Sequence, residues 1–332
     1  MAETKRLLVL TRDRLGAPFR QRIEPSLPLL AKRGIETEVV ELPAGALARR
    51  GAFRRARQFD GVLLHRKTLT WWDAVALGGA GPLIYDFDDA VMFQARSPEA
   101  PHPGRERRFQ RTTARADLVL AGSPNLATHA SLGGAARVEV IPTGLDAGAF
   151  PPKEAGGSQE RVRLVWVGSA STLKQLRTLG PVLEAVGRHV PGAALRVIAD
   201  ARLKVAGLEV ENVPWRLADE ARLLAEADIG IAPLPDTPYT RGKCGFKVLQ
   251  YMAAGLPVVT SPVGINAAYV RPEETGLHAT TAEEWTAAVE RLAADAPLRE
   301  QMGQAGRERV EKEFDFSVLA PKVCALIEEA LD

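Results

Sequence analysis

The chain has 332 residues, enough for two domains, and its 46% hydrophobic and 25% charged content is that of a globular protein rather than a disordered one. No apolar run reaches the ~18–20 residues of a membrane helix, the apolar stretch in MAETKRLLVLTRD is too short for a signal peptide, and two cysteines, Cys244 and Cys324, cannot build a disulfide framework or a four-ligand zinc cluster. The net charge of +2 conceals a split at residue 158, +6 before it and −4 after it, which makes the first half the candidate to meet an anionic surface or substrate; a reduced cytoplasmic setting is expected.

In chain order, runs rich in Val, Leu and Ile predict strands over Arg6–Thr11, Thr37–Leu42, Gly61–His65, Pro82–Asp86, Asp117–Ala121 and Val138–Pro142. Most lack polar alternation, which is the pattern of parallel strands buried on both faces. Helix-length segments such as Gln21–Arg33 and Arg105–Ala116 separate them, and such alternation predicts a doubly wound α/β domain. Phe150–Glu160, FPPKEAGGSQE, has the composition of a linker. Strands then resume at Val162–Gly168, Ala194–Ile198, Leu208–Val213, Asp228–Ala232, Pro257–Thr260 and Gly276–Ala279. A helix is expected near Lys174–Arg188, and three more close the chain near Ala282–Ala294, Pro297–Lys312 and Ser317–Leu331. The reading is two tandem α/β domains, 1–152 and 161–314, joined by a linker at 153–160. Ligands of such sheets bind at the carboxyl ends of strands, and two facing sheets are expected to enclose a cleft.

The most informative stretch is Arg241–Thr260, RGKCGFKVLQYMAAGLPVVT. It predicts a helix starting near Gly245 and ending at Gly255, followed by a strand. A helix N-terminus presents free backbone N–H groups and a partial positive charge, and suits phosphate. Arg241, Lys243 and Lys247 add full charges there, or else decorate an exposed loop.

This stretch resembles the donor-binding segment of the retaining GT-B glycosyltransferases of glycosyltransferase family 4, approximately E-G-F-G-x-x-x-x-E-A-M-A-x-G-x-P-V-V. Gly245, Met252, Ala253, Gly255, Pro257, Val258 and Val259 match in place. The two family glutamates fall on Gly242 and Gln250; the second of them contacts the nucleotide ribose, the first the donor sugar. The lysine-bearing loop looks most like a branch that reads K-x-x-F-K-x-x-E-Y-M-A. Val165–Gly168 followed by Ser169 and Lys174 resembles the V-G-R-x-x-x-x-K-G turn that holds donor phosphates, with Ser169 in place of the arginine. Ile141–Asp146 resembles I-P-x-G-V-D, Ala227–Asp228 resembles the start of A-D-x-x-x-x-P-S, and Trp215 falls near the wall beside the nucleobase, or else in the core.

Asp86–Phe87–Asp88–Asp89 follows a predicted strand. Clustered carboxylates repel unless something pairs with them. The lysines above, sugar hydroxyls, or Arg20 and Arg22 are candidates, and a helix N-cap by Asp88 or Asp89 is the alternative. By resemblance, the family histidine that faces the donor sugar falls on Asp88. Three basic stretches mark the first half: Arg12, Arg14, Arg20 and Arg22 around Gly16; Arg49, Arg50, Arg54, Arg55 and Arg57; and Arg105, Arg107, Arg108, Arg111 and Arg115. Arg50, Arg54 and Arg57 share a helical face that suits anionic lipid headgroups, or is simply solvated. The five histidines show no metal-ligand spacing, and no aromatic interleaving points to nucleic acid.

The resemblance implies a GT-B fold with two Rossmann-like domains facing across a cleft, and a last helix, 315–332, crossing back to the first domain. It implies a nucleotide-sugar donor and a glycan, lipid-linked or small-molecule acceptor. It also implies transfer without cofactor or metal; the cysteine content and the basic first half lead to the expectation of a cytoplasmic protein, peripheral at the inner face of the membrane. Expected catalytic residues are Asp88, Asp89, Lys174 and Lys247; expected donor contacts are Gly168, Ser169, Lys174, Trp215, Arg241, Lys243, Gly245, Phe246, Lys247 and Gln250; Gly16, Arg20 and Arg22 would face the acceptor. A catalytically degenerate nucleotide-sugar binder and another GT-B enzyme, an inverting transferase or an epimerase, stay open as alternatives.

Overall fold

The computed structural model describes residues 4–151 and 161–332. The chain forms two compact units: residues 1–144, 237–244 and 316–332 make one, residues 145–236 and 245–315 the other. The expected linker at 153–160 lies outside the described residues.

The first unit is built on a six-stranded sheet of β1 (Lys5–Thr11), β2 (Ile35–Glu41), β3 (Gly61–His65), β4 (Leu83–Phe87), β5 (Leu118–Ala121) and β6 (Val138–Val140), in the order β2-β1-β3-β4-β5-β6. All pairings are parallel. Strand side chains alternate between faces, so Leu8 and Leu10 join one core and Leu7 and Val9 the other. The inner strands β3 and β4 are buried throughout, whereas the edge strand β2 is half-exposed. The last helix, Phe316–Leu331, packs Val323, Cys324 and Ile327 into the same core as Leu7 and Val9. Thr237–Cys244, expected to lie in the donor domain, belongs to this unit, with the Tyr239 N–H bonded to the Pro98 carbonyl at 3.0 Å.

The second unit repeats the plan with β7 (Arg163–Val167), β8 (Ala194–Ile198), β9 (Glu209–Val213), β10 (Ile229–Ala232), β11 (Val258–Thr260) and β12 (Gly276–His278), in the order β12-β11-β10-β7-β8-β9. Its faces are covered by two large apolar clusters.

Two predicted helices are broken by proline. The segment Gln21–Arg33 is two helices, Ala17–Arg22 and Leu27–Lys32, around a 3-10 turn at Glu24–Ser26, because Pro25 and Pro28 cannot donate inside a helix. Lys174–Arg188 divides into Leu173–Arg177 and Gly180–His189, the second with a proline in its first turn. Among the described residues no helix is long and apolar enough to cross a membrane.

Candidate active site

In the first unit, β1, β3 and β4 end beside one another at Thr11, His65 and the acid run Asp86–Asp89. Alternation sends Tyr85 and Phe87 into one core and turns Asp86 to the other face, where Arg22 lies. Arg22 Nη2 stands 2.6 Å from Asp86 Oδ2 and its Nε 2.9 Å from Oδ1, while Nη1 donates to the Ile141 carbonyl at 2.8 Å. The two side chains are 1% and 2% exposed.

Asp88 and Asp89 draw on different cations. Arg66 Nη2 donates to Asp89 Oδ2 at 3.1 Å, and its Nε stands 3.2 Å from Asp88 Oδ1. The second contact is ionic but too bent for a hydrogen bond, so that buried Asp88 oxygen has no donor. To make this clamp Arg66 takes a backbone φ of +57°, the left-handed region that non-glycine residues rarely enter. Lys243 Nζ stands 2.9 Å from Asp89 Oδ1 and 2.7 Å from the Tyr239 hydroxyl. Burial disfavours the charge on Arg66 and Lys243, but the adjacent carboxylates outweigh it and raise both pKa values. His65 goes the other way: burial lowers its pKa below the ordinary 6.5, so the ring is neutral at pH 7, with Nδ1 3.0 Å from Thr11 Oγ1. A cavity of about 680 Å³ opens at this edge, with Thr11, Arg12, His65, Asp89, Arg108 and Tyr239 among its walls.

In the second unit, β7 runs into the turn Gly168–Thr172. A Cβ on Gly168 would stand 2.5 Å from the Trp166 ring, so no side chain fits there. The hydroxyls of Ser169, Ser171 and Thr172 bond one another, at 2.9 and 3.2 Å from Ser169 Oγ. The Lys247 ammonium lies 4.3 Å from the centre of the buried Trp166 ring. Lys247 is in the first turn of the helix Phe246–Ala253, whose N-cap, Gly245, has φ +63°. A Cβ on Gly245 would also stand 2.6 Å from Asn266 Oδ1, so glycine is demanded by both conformation and space. Further along the helix, the buried Gln250 amide and the Trp215 indole N–H donate to the two oxygens of Glu220. Tyr251 ties the helix to β7 by accepting the Val167 N–H at 2.9 Å.

Residues 158–295 match the family model described as glycosyl transferases group 1. The chain carries a glycosyl transferases group 1 domain. That domain marks it as a glycosyltransferase enzyme, and its fold is GT-B. It is similar to sucrose-phosphate synthase from Thermosynechococcus elongatus, with a TM-score of 0.75 and 17% identity over 98% of this chain and 99% of that one. It is similar to Anabaena HepE in complex with UDP-glucose, with a TM-score of 0.71 and 17% identity over 98% and 100%. A third likeness is to WaaG, a glycosyltransferase involved in lipopolysaccharide biosynthesis, with a TM-score of 0.68 and 15% identity over 97% and 99%. At these identities the likeness is one of fold. No curated protein sequence matches the chain significantly.

On this glycosyltransferase fold the expected site residues fall into separate groups. Gly168 and Lys247 meet through Trp166, and Trp215 and Gln250 meet through Glu220. Phe246 is half-buried against the apolar cluster under the helix. Lys174 is exposed on a five-residue helix. Arg241 and Lys243 sit in the first unit, the former exposed at the end of a short helix and the latter committed to Asp89. Gly16 caps the helix Ala17–Arg22, and a Cβ there would meet the Asp13 carboxylate at 2.5 Å. Arg20 is half-buried on that helix. Arg22 was expected to face an acceptor; its guanidinium is buried on Asp86 and cannot. Gln250, expected on the ribose, is 4% exposed, with its amide turned to Glu220. Gly242 leaves no room for the family glutamate, since a Cβ would stand 2.7 Å from that of Ala90.

Sequence reasoning missed His65, Arg66, Trp166 and Glu220. His65 ends a run that reads as plain buried strand, and Glu220 sits in the first turn of Leu217–Ala225, where acids are ordinary. The basic stretch at 49–57 also resolves differently. Arg49 is buried on Asp73 at 3.2 Å, Arg55 pairs with Glu38 at 2.6 Å, and Arg57 has left the helix for a 3-10 turn, where it donates to the Gly78 carbonyl at 2.7 Å.

Proposed function

We propose that this enzyme moves a sugar from a nucleotide-sugar donor to an acceptor hydroxyl, with retention and without a metal ion, as a family 4 member with a lysine-bearing donor loop. The observation that carries the reading is Lys247 in the first turn of the Phe246–Ala253 helix, stacked on Trp166 beside the Gly168 turn. A diphosphate suits that place: the positive end of a helix dipole and a full positive charge converge on it. The hydroxyls of Ser169 and Thr172 and the exposed Lys174 add donors, and the UDP-glucose carried by the similarly folded HepE is a ligand of this chemistry. Catalysis in this reading is electrostatic, with these groups stabilising charge on the leaving diphosphate. Asp88, whose Oδ1 lacks a donor, is the carboxylate assigned to the reacting sugar; Asp89, Arg66 and Lys243 hold it in place. That engagement of both acids by cations supports a reaction that does not need them as metal ligands. The acceptor, a glycan, a lipid-linked sugar or a small molecule, is assigned to the first unit.

The reading is tested by incubating the full chain with a panel of nucleotide sugars, with and without EDTA, and following nucleotide release and product anomer. Retained configuration and activity in EDTA are expected. If no nucleotide sugar binds, the donor site is wrong. A degenerate binder is the second reading, favoured by Gly242 and Gln250, which hold no carboxylate for the donor. Binding without turnover of any donor decides for it.

We also propose a peripheral membrane contact. Trp71 and Trp72 are 56% and 68% exposed on a short helix that packs on Ala46–Arg55 through the Arg49–Asp73 pair. Leu47 is 85% exposed on the same second helix, which also bears the exposed Arg50 and Arg54. Interfacial aromatics beside cations suit an anionic bilayer surface. Co-sedimentation with phosphatidylglycerol vesicles, lost in Trp71→Ser/Trp72→Ser, is expected; equal sedimentation of that variant overturns the contact.

A further inference from the structure

The cavity of the first unit has a charge balance that the transferase reading does not require. Five cations line it, Arg12, Arg66, Lys67, Arg105 and Arg108, against two carboxylates, Asp13 and Asp89. Only Asp89 is neutralised by cations. Asp89 is held by Arg66 and Lys243, and Asp13 accepts the Leu15 N–H of its own loop at 3.1 Å. Among the cations, Arg66 is spent on the acid pair and Lys67 on Asp73 at 3.2 Å. Arg105 donates to the Phe93 carbonyl at 2.7 Å, a neutral partner that leaves its charge uncompensated. Arg12 and Arg108 are exposed, and among the described residues no carboxylate pairs with either. Three positive charges from two different elements, the loop after β1 and the helix Pro103–Arg115, therefore face one open cavity against a single uncompensated carboxylate, Asp13. Guanidinium groups grouped in this way match the oxygens of phosphate or carboxylate, and a concave wall strengthens their common field.

We propose that this cavity takes an acceptor bearing an anionic group, a phosphate ester or a carboxylate, held by Arg12, Arg105 and Arg108. The inference rests on the reading of the first unit as the acceptor side. It restricts that acceptor to an anionic class. A soluble sugar phosphate and a phosphate-bearing lipid headgroup share this chemistry.

The test uses the full chain and titrates UDP, a hexose 6-phosphate, the same hexose without phosphate, and vesicles with and without phosphatidylglycerol, against the wild type and Arg12→Gln/Arg108→Gln. UDP affinity reports on the donor reading alone and is expected to be the same in both proteins. The hexose phosphate is expected to bind about tenfold or more tightly than the hexose, and the double variant to lose about that factor. If the anionic vesicles bind instead and the double variant releases them, the source of the anion is a lipid headgroup and the proposal stands. UDP binding with no preference for either anionic probe overturns it. So does a preference that survives the double variant, including vesicle binding that only Trp71→Ser/Trp72→Ser abolishes. Failure of UDP to bind, with the phosphate preference intact, strikes the donor reading and leaves the anion site standing.

Discussion

Both units place their functional side chains at the carboxyl ends of a six-stranded parallel sheet, but they treat charge in opposite ways. The first unit gathers acids and answers each with a cation: Arg22 on Asp86, Arg66 on Asp88 and Asp89, Lys243 on Asp89. The second unit puts Lys247 on an indole face, builds a turn from neutral hydroxyls, and has an amide and an indole donate to Glu220. A site that meets its own acids with its own cations holds its carboxylates in fixed places. A site made of N–H groups, hydroxyls and a stacked ammonium is arranged for a negative charge brought by a ligand. The difference fits a division of labour between reacting groups and leaving-group stabilisation.

Four measurements would break or sharpen this contrast. The largest effect is expected at the groups proposed to react and to bind the donor: Asp88→Asn should lower kcat about 100-fold or more with little change in UDP affinity, whereas Lys247→Ala should weaken UDP roughly 10- to 100-fold. If the two variants share one kinetic signature, the division fails. Next is the buried pair. Asp86→Asn leaves the Arg22 guanidinium buried without its carboxylate and should cost about 3–5 kcal/mol, read as a lower denaturation midpoint. A near-neutral result would show that the pair is not buried in solution. Third, Gln250→Glu sets a second carboxylate against Glu220 in place of a donor, and should cost roughly 1–3 kcal/mol at pH 7. Unchanged stability would mean that the amide does not serve Glu220. The smallest effect concerns His65. Its folded pKa lies below 6.5, so the unfolded chain binds more protons as pH falls through 6.5. Stability present above that pH is lost below it, as it is for His129 and His278, whose burial acts in the same direction. His65→Gln should flatten the acid limb of a stability–pH curve, and an unaltered slope would place the ring in solvent.

What the sequence made legible follows from how local each signal is. Gly61–His65 and Ala194–Ile198 are strands at the very residues expected, because wholly buried strands are short, unbroken apolar runs. The edge strand, expected at Thr37–Leu42, begins two residues earlier at Ile35, since its alternating IETEVVE does not announce its start. Helix continuity across Pro25 was misjudged because apolar spacing persists through it. In the site, the glycines at 168 and 245 and the acids at 86–89 stand out by type alone. Their partners show only as candidates: Arg22 and the lysines are named for the acids as a group, and which acid takes which cation, Asp86 with Arg22 across 64 residues and Asp89 with Lys243 across 154, is set by the fold. Arg66 and Glu220 belong to the same class, ordinary charges made special only by the fold.

The contact between Gly242 and Ala90 has an evolutionary consequence. A Cβ at 242 would stand 2.7 Å from the Ala90 Cβ and 3.1 Å from Leu126 Cδ2. Any side chain placed at 242 must displace Ala90 and crowd Leu126, so these positions are coupled although they lie far apart in the chain. Ala90→Gly relieves the closest of these contacts, so a change at 242 is better tolerated after it than before. Libraries that vary 242 should therefore vary 90 with it.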